Sequence, residues 1–166
     1  MSREVRRVPA TWQHPREDGR YKHLFEGDPN LKQEIEEWHR DNELWKLGKH
    51  PDQVRRATTG LSFEDWSGGP PDPRYYMPCW PDAEKTHYQM YETTSEGSPL
   101  SPPMESPEAL ARWLVDNRAS AFGNETATYE DWLDMIRGPG WAPTAMQIGG
   151  ELQSGVKAMA KENNED

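Results

Sequence analysis

Thr86-His87-Tyr88-Gln89-Met90-Tyr91 favours a β-strand, Thr94-Ser95-Glu96-Gly97 supplies turn chemistry, and Ser98 to Met104 returns as a second strand. Prolines in that return confine it to a sheet edge. Ser106-Pro107-Glu108 then caps a helix that carries Leu110, Trp113 and Leu114 as far as Asn117. The centre of the chain reads hairpin, then helix. The expected class is α+β: one small domain over residues 1–160, with a short hairpin or sheet, three to four short helices and much ordered Pro/Gly-rich chain. Residues 161–166 read as a disordered acidic tail.

Upstream, Asp28-Pro29 opens the clearest helix, as N-cap and first helical residue. Leu31, Ile35, Trp38 and Trp45 recur at helical steps, and Gly48 is the natural stop. That face packs into the core, docks a partner through Trp38 and Trp45, or builds a homo-oligomer. Ser62-Phe63-Glu64-Asp65-Trp66 and Thr128-Tyr129-Glu130-Asp131-Trp132 share the shape of a capping box, so each starts a short helix. Pro70 to Pro81 holds too many prolines for a central strand or a helix, and packs as extended chain with Tyr75, Tyr76, Met77 and Trp80 turned inward. Residues 3–12 read as an extended segment, an exposed arm anchored by Val5, Val8 and Trp12. His14-Pro15 through Gly19 is a turn or loop. Ile148, Leu152 and Val156 allow a last strand or short helix after Gly149-Gly150.

Hydrophobic residues make up only 33% of the chain, below the ~45–50% of typical domains, a figure that also counts glycine. Eight Trp, six Tyr and three Phe compensate, because each buried aromatic removes about 150–250 Å² from water. The net charge of −10 argues against a general nucleic-acid binder, since phosphate contact needs clustered Lys and Arg. Residues 1–25 are nevertheless basic, at +3, which leaves −13 on the remainder. Cys79 is the only cysteine, so no intramolecular disulfide forms, and its Pro78 and Trp80 neighbours suit an inert thiol. No apolar run approaches the ~18 residues of a membrane helix.

The five histidines show no metal-ligand spacing, and neither a phosphate-cradling Gly-Lys-Ser/Thr loop nor Gly-x-Ser-x-Gly occurs. The chain therefore reads as a non-catalytic binding protein without a cofactor. Thr93, Thr94, Ser95, Glu96, Gly97, Ser98 and Ser101 concentrate small polar residues and backbone N–H groups that suit an anionic ligand. Arg6, Arg7 or Arg112 supplies a guanidinium for phosphate, and Trp80, Trp113 or Trp141 stacks on a base. On this reading Ser95→Ala or Gly97→Val abolishes activity while the fold survives.

Several strings carry a resemblance. Val5-Arg6-Arg7-Val8-Pro9 through Trp12-x-His14-Pro15, Tyr76-Met77-Pro78-x-Trp80-Pro81, Tyr91-Glu92-x-Thr94-Ser95-Glu96-Gly97, Ala119-Ser120-Ala121-Phe122-Gly123 and Gly140-Trp141-Ala142-Pro143 resemble segments of uncharacterised small phage and prophage proteins. The resemblance covers most of the chain except the acidic helix region and the tail. It implies a product of the infected bacterial cytoplasm and carries no catalytic residues. By analogy of role, it implies a protein that counters a host defence system, by occluding a host protein or by sequestering a signalling nucleotide. A minor virion or assembly protein and an enzyme of unrecognised type are the alternatives.

Overall fold

In the computed structural model, which describes residues 2–56, 60–93 and 97–162, the chain is α+β. It opens with strands β1 (Arg3–Val8), β2 (Arg16–Glu17) and β3 (Arg20–Tyr21), followed by helices α1 (Leu31–Lys46), α2 (Pro51–Arg56) and α3 (Phe63–Ser67). Next come β4 (His87–Glu92), β5 (Ser98–Pro99), α4 (Pro107–Asp116), β6 (Ser120–Phe122) and β7 (Glu125–Thr126). The chain continues through α5 (Tyr129–Arg137), β8 (Trp141–Ala142), β9 (Ala145–Ile148), β10 (Glu151–Ser154) and α6 (Gly155–Glu162). Two compact units result: Met1–Glu26 with Trp80–Asp166, and Gly27–Cys79.

The first unit is built on a four-stranded antiparallel sheet in the order β5-β4-β1-β8. Arg3 pairs with Glu92 and Val8 with His87. Since successive side chains of a strand point to opposite faces, this register sorts two surfaces. Val5, Tyr88 and Met90 face a dry core with Leu110, Leu114, Trp132 and Val156. Glu4, Arg6, Gln89 and Tyr91 occupy the opposite face, which is polar.

The N-terminal segment is therefore not an exposed arm. β1 lies between β4 and β8, and Arg3 and Arg6 are buried. Their charges are compensated inside: Arg3 Nη1 donates to Glu92 Oε1 at 3.1 Å, and its Nε donates to the Ser120 carbonyl at 2.9 Å. The β4 return is shorter than Ser98 to Met104 because its prolines cannot donate. It pairs at Ser98–Pro99, then rejoins β4 through a single bridge between Met104 and Tyr88. Ser106 caps α4 as read, by accepting the Ala109 N–H.

Capping boxes open both short helices: the Ser62 and Thr128 side chains accept the N–H groups of Asp65 and Asp131. Ser120–Phe122 forms half of the β6–β7 hairpin. Gly149-Gly150 joins β9 to β10, and Val156 lies on α6, so the C-terminal stretch holds both a hairpin and a helix. α6 runs through Glu162, and residues 163–166 of the expected tail lie outside the described residues.

In the second unit α1 begins two residues later than its Asp-Pro signal suggests. Asn30 is the N-cap, and Asp28 Oδ1 accepts the Asn30 N–H at 2.7 Å in the turn before it. Gly48, at φ +69°, ends the helix as read. The apolar face of α1 packs within the unit. Trp45 is buried and stacks on Trp66 with ring centroids 5.8 Å apart, and its indole N–H donates to the Leu61 carbonyl. The Trp38 ring lies 5.3 Å from Phe63, and its indole N–H is shared between Ser67 Oγ and the Gly68 carbonyl. Of the residues read as a partner-docking face, Trp45 is buried against α3 and Trp38 is half-buried beside it. Within 70–81, Tyr75 is half exposed rather than inward, Met77 is buried as read, and Cys79 is exposed.

Candidate functional site: an aromatic cavity on the polar face of the sheet

On the face carrying Gln89 and Tyr91, the segment from Trp12 to Tyr21 folds over the sheet. Beneath it lies a cavity of about 650 Å³ walled by Trp12, His14, Tyr21, Gln89, Ser101 and Trp113. This falls in the ~300–1,000 Å³ range of small-molecule sites. A smaller space of about 450 Å³, lined by Arg16, Arg20, His23 and Ser98 among others, shares Arg16, Tyr21, Pro99 and Leu100 with the first. One end is thus aromatic, and the other carries Arg16 and Arg20 beside the Glu92 carboxylate, which is paired with Arg3.

The β2–β3 hairpin supplies Arg16 and Arg20. Asp18 (φ +50°) and Gly19 turn the chain, so Arg16 pairs with Tyr21 across two very short strands. The Arg16 guanidinium sits 4.1 Å from the centroid of the Tyr21 ring. This stacking orients it while leaving N–H groups for an acceptor. Arg20 is exposed next to it.

A hydrogen-bonded chain forms the floor. Trp12 Nε1–H donates to Tyr91 Oη at 3.1 Å, and Tyr91 O–H lies 3.1 Å from Gln89 Oε1. Gln89 Nε2–H donates to the Ser101 carbonyl at 2.7 Å. His14 Nδ1 is 3.1 Å from Tyr91 Oη, and His14 Nε2 is 2.6 Å from the Lys22 carbonyl. Burial pushes the Tyr91 phenol up to about 12. Burial also holds the His14 imidazole below its usual range, with the Lys22 carbonyl opposing and the Arg6 charge reinforcing the shift.

The residues expected to hold a ligand are only partly brought together. Ser101 and Trp113 are in the wall. The Ser101 hydroxyl accepts the Met90 N–H at 2.9 Å, so its own proton faces no acceptor among the described residues. Trp80 stands behind the wall, edge-on to Trp12 at 4.8 Å. Arg6 is an internal strut: Nε donates to Glu4, Nη1 donates to the Leu24 carbonyl at 2.8 Å, and the guanidinium covers the Tyr91 ring. Arg7 lies over Tyr88, on the other face of the sheet, and Arg112 lies over Tyr129. Trp141 is on edge strand β8, three strand spacings from β5, or about 14 Å.

Thr94, Ser95 and Glu96 lie outside the described residues. Gly97 has φ +49°, and a Cβ there would overlap the Leu24 carbonyl. Gly97→Val thus disturbs the fold, which corrects the expectation that it would spare it. Trp12, His14, Arg16, Arg20 and Tyr21 were missed as site residues because Trp12 reads as an apolar anchor of an extended segment and His14 to Gly19 as a turn or loop. The basic balance of residues 1–25 was the signal that pointed to them.

The chain matches no protein-family model, no curated protein and no solved structure. Among the described residues, no helix is long and apolar enough to cross a membrane.

Proposed function

We propose that this is a phage-encoded, non-catalytic binding protein that counters a host defence system by sequestering a small anionic nucleotide. The phage setting rests on the sequence resemblance. The observation that carries the ligand reading is the pair of adjoining cavities between Trp113 and Arg20, one walled by aromatic rings and the other lined by Arg16 and Arg20. A nucleobase meets ring faces at Trp12, Tyr21 and Trp113, where stacking contributes roughly 1–3 kcal/mol per base. A phosphate meets Arg16 and Arg20, whose planar guanidinium groups suit two-point hydrogen bonding. This assigns the anion to the β2–β3 hairpin rather than to Arg6 and Arg7.

Equilibrium titration with 5′-mononucleotides, dinucleotides and cyclic nucleotides tests the reading. At least one nucleotide is expected to bind with micromolar affinity. Trp113→Ala and Arg16→Ala/Arg20→Ala should each weaken binding by tenfold or more while leaving the circular dichroism spectrum unchanged. Failure of every nucleotide to bind at millimolar concentration overturns the proposal.

Occlusion of a host protein is a second reading. It draws on apolar side chains left in solvent at the C-terminal end of the first unit: Trp141 (45% exposed), Ile148 and Leu152 (64%). Capture of one host protein, lost in a Trp141→Ser/Leu152→Ser variant, would favour it over nucleotide sequestration.

A further inference from the structure

The floor of the cavity contains one fewer proton than its hydrogen-bonding groups require. A carbonyl oxygen only accepts, so the 2.6 Å contact with Lys22 places a proton on His14 Nε2. A neutral imidazole then has a bare lone pair at Nδ1, 3.1 Å from Tyr91 Oη. One lone pair of that hydroxyl is already occupied by the Trp12 indole N–H. The orientation of the Gln89 amide is settled by the Ser101 carbonyl, which must face the NH₂ end, so the oxygen end faces Tyr91. Tyr91 therefore has a single O–H and two acceptors competing for it, His14 Nδ1 and Gln89 Oε1.

Whichever acceptor loses has no protein donor in its place: Tyr91 is fully buried, and His14 and Gln89 are 8% and 3% exposed. An unpaired buried acceptor is costly. One added proton satisfies every group. His14 Nδ1–H then donates to the second lone pair of Tyr91, Tyr91 O–H donates to Gln89, and Gln89 donates to Ser101.

We propose that His14 is the proton switch of this cavity: an anionic ligand draws a proton onto Nδ1, the Tyr91 hydroxyl turns from His14 to Gln89, and binding is coupled to proton uptake. This rests on the nucleotide reading of the same cavity.

The charges around the imidazole explain why the free protein waits for the ligand. Arg6 on β1, itself paired with Glu4, lies against Tyr91. Arg16 on β2 lines the cavity and covers Tyr21, whose ring is 5.7 Å from that of His14. From β4, uncharged Tyr91 meets His14 directly and uncharged Gln89 lines the cavity, as does Trp113 of α4. Burial opposes an imidazolium, and so does the Arg6 charge, while the Glu92 carboxylate of the adjoining cavity is paired with Arg3. A phosphate brought to Arg16 offsets that opposition. The pKa of His14 is then higher in the complex than in the free protein. Affinity rises as pH falls from the bound value toward the free value, by up to about tenfold per pH unit inside that window, and levels off below it.

Two measurements decide the matter. Nitrogen-15 NMR of the histidine side chains reads the tautomer and titration of His14 without ligand. The neutral form should carry its proton on Nε2. In Gln89→Leu, with the competing acceptor gone, Tyr91 should stay on Nδ1 and His14 should titrate at lower pH than in wild type. A proton found on Nδ1 of the neutral form overturns the proposal without recourse to any variant.

Calorimetry of 5′-AMP binding in buffers of different ionisation enthalpy, around neutral pH, reads protons taken up. A value approaching one is expected for AMP, and a value near zero for adenosine, which has no phosphate. AMP that binds with no proton uptake overturns the switch and leaves the nucleotide reading standing. If AMP does not bind at millimolar concentration, the same calorimetry is run with the nucleotide that does, and failure of every nucleotide overturns that reading and the coupling together.

Discussion

At the residue scale, Tyr91 shows what burial does to a polar group that also works. Its hydroxyl accepts from Trp12 and faces Gln89 and His14, and burial holds the phenol protonated up to about 12. The unfolded chain releases that proton near pH 10. Between pH 10 and about 12 the folded state holds more protons than the unfolded one, so rising pH favours unfolding. Stability is expected to fall by about 1.4 kcal/mol per pH unit across that window. Denaturant unfolding at stepped alkaline pH checks this, and Tyr91→Phe should flatten the slope. None of this was legible in the sequence. Tyr91 read as one position of a strand, and the partners that move its proton equilibrium come from residues 12 and 14 as well as from its own strand.

At the element scale, local chemistry was read most faithfully. Thr128 and Asp131 satisfy each other's backbone N–H groups, and α5 then presents Trp132, Met135 and Ile136 to the core. Thr128→Ala should cost about 1 kcal/mol, the usual value of a lost N-cap, measured as a shift of the urea midpoint with unchanged slope. Capping boxes, the Gly48 stop and the Ser106-Pro107 start were visible because each depends on residues within four positions. The β2–β3 and β6–β7 hairpins were not. Strands of two or three residues carry no detectable alternation, and they exist because a neighbouring surface holds them.

At the scale of the whole first unit, Arg3 ties elements that are distant in the chain. From β1 it reaches Glu92 on β4 and the Ser120 carbonyl on β6. Burial lowers the Arg3 pKa, and Glu92 works against that shift by charge and hydrogen bond. Arg3→Leu leaves a largely buried carboxylate without its partner, and should cost roughly 3 kcal/mol. The double variant Arg3→Leu/Glu92→Leu should recover much of that loss, because no unpaired charge remains. Thermal unfolding of the two variants checks both statements. A destabilisation that is equal in the single and double variants would show that packing, not charge, is what the pair supplies.

By itself the sequence determined the α+β class, the hairpin-then-helix centre, the helix caps and a basic island in an otherwise acidic chain. These follow from short-range stereochemistry and from charge, which need no knowledge of neighbours. Only the tertiary structure decided that the N-terminal segment is an interior strand, since a row of arginines looks exposed until Glu92, Glu4 and two backbone carbonyls are brought to it. It also decided that the cavity joins Trp12, His14, Tyr21, Gln89 and Trp113. A cavity is a relation among faces of separate elements, and its proton count depends on which donors and acceptors those faces set opposite one another.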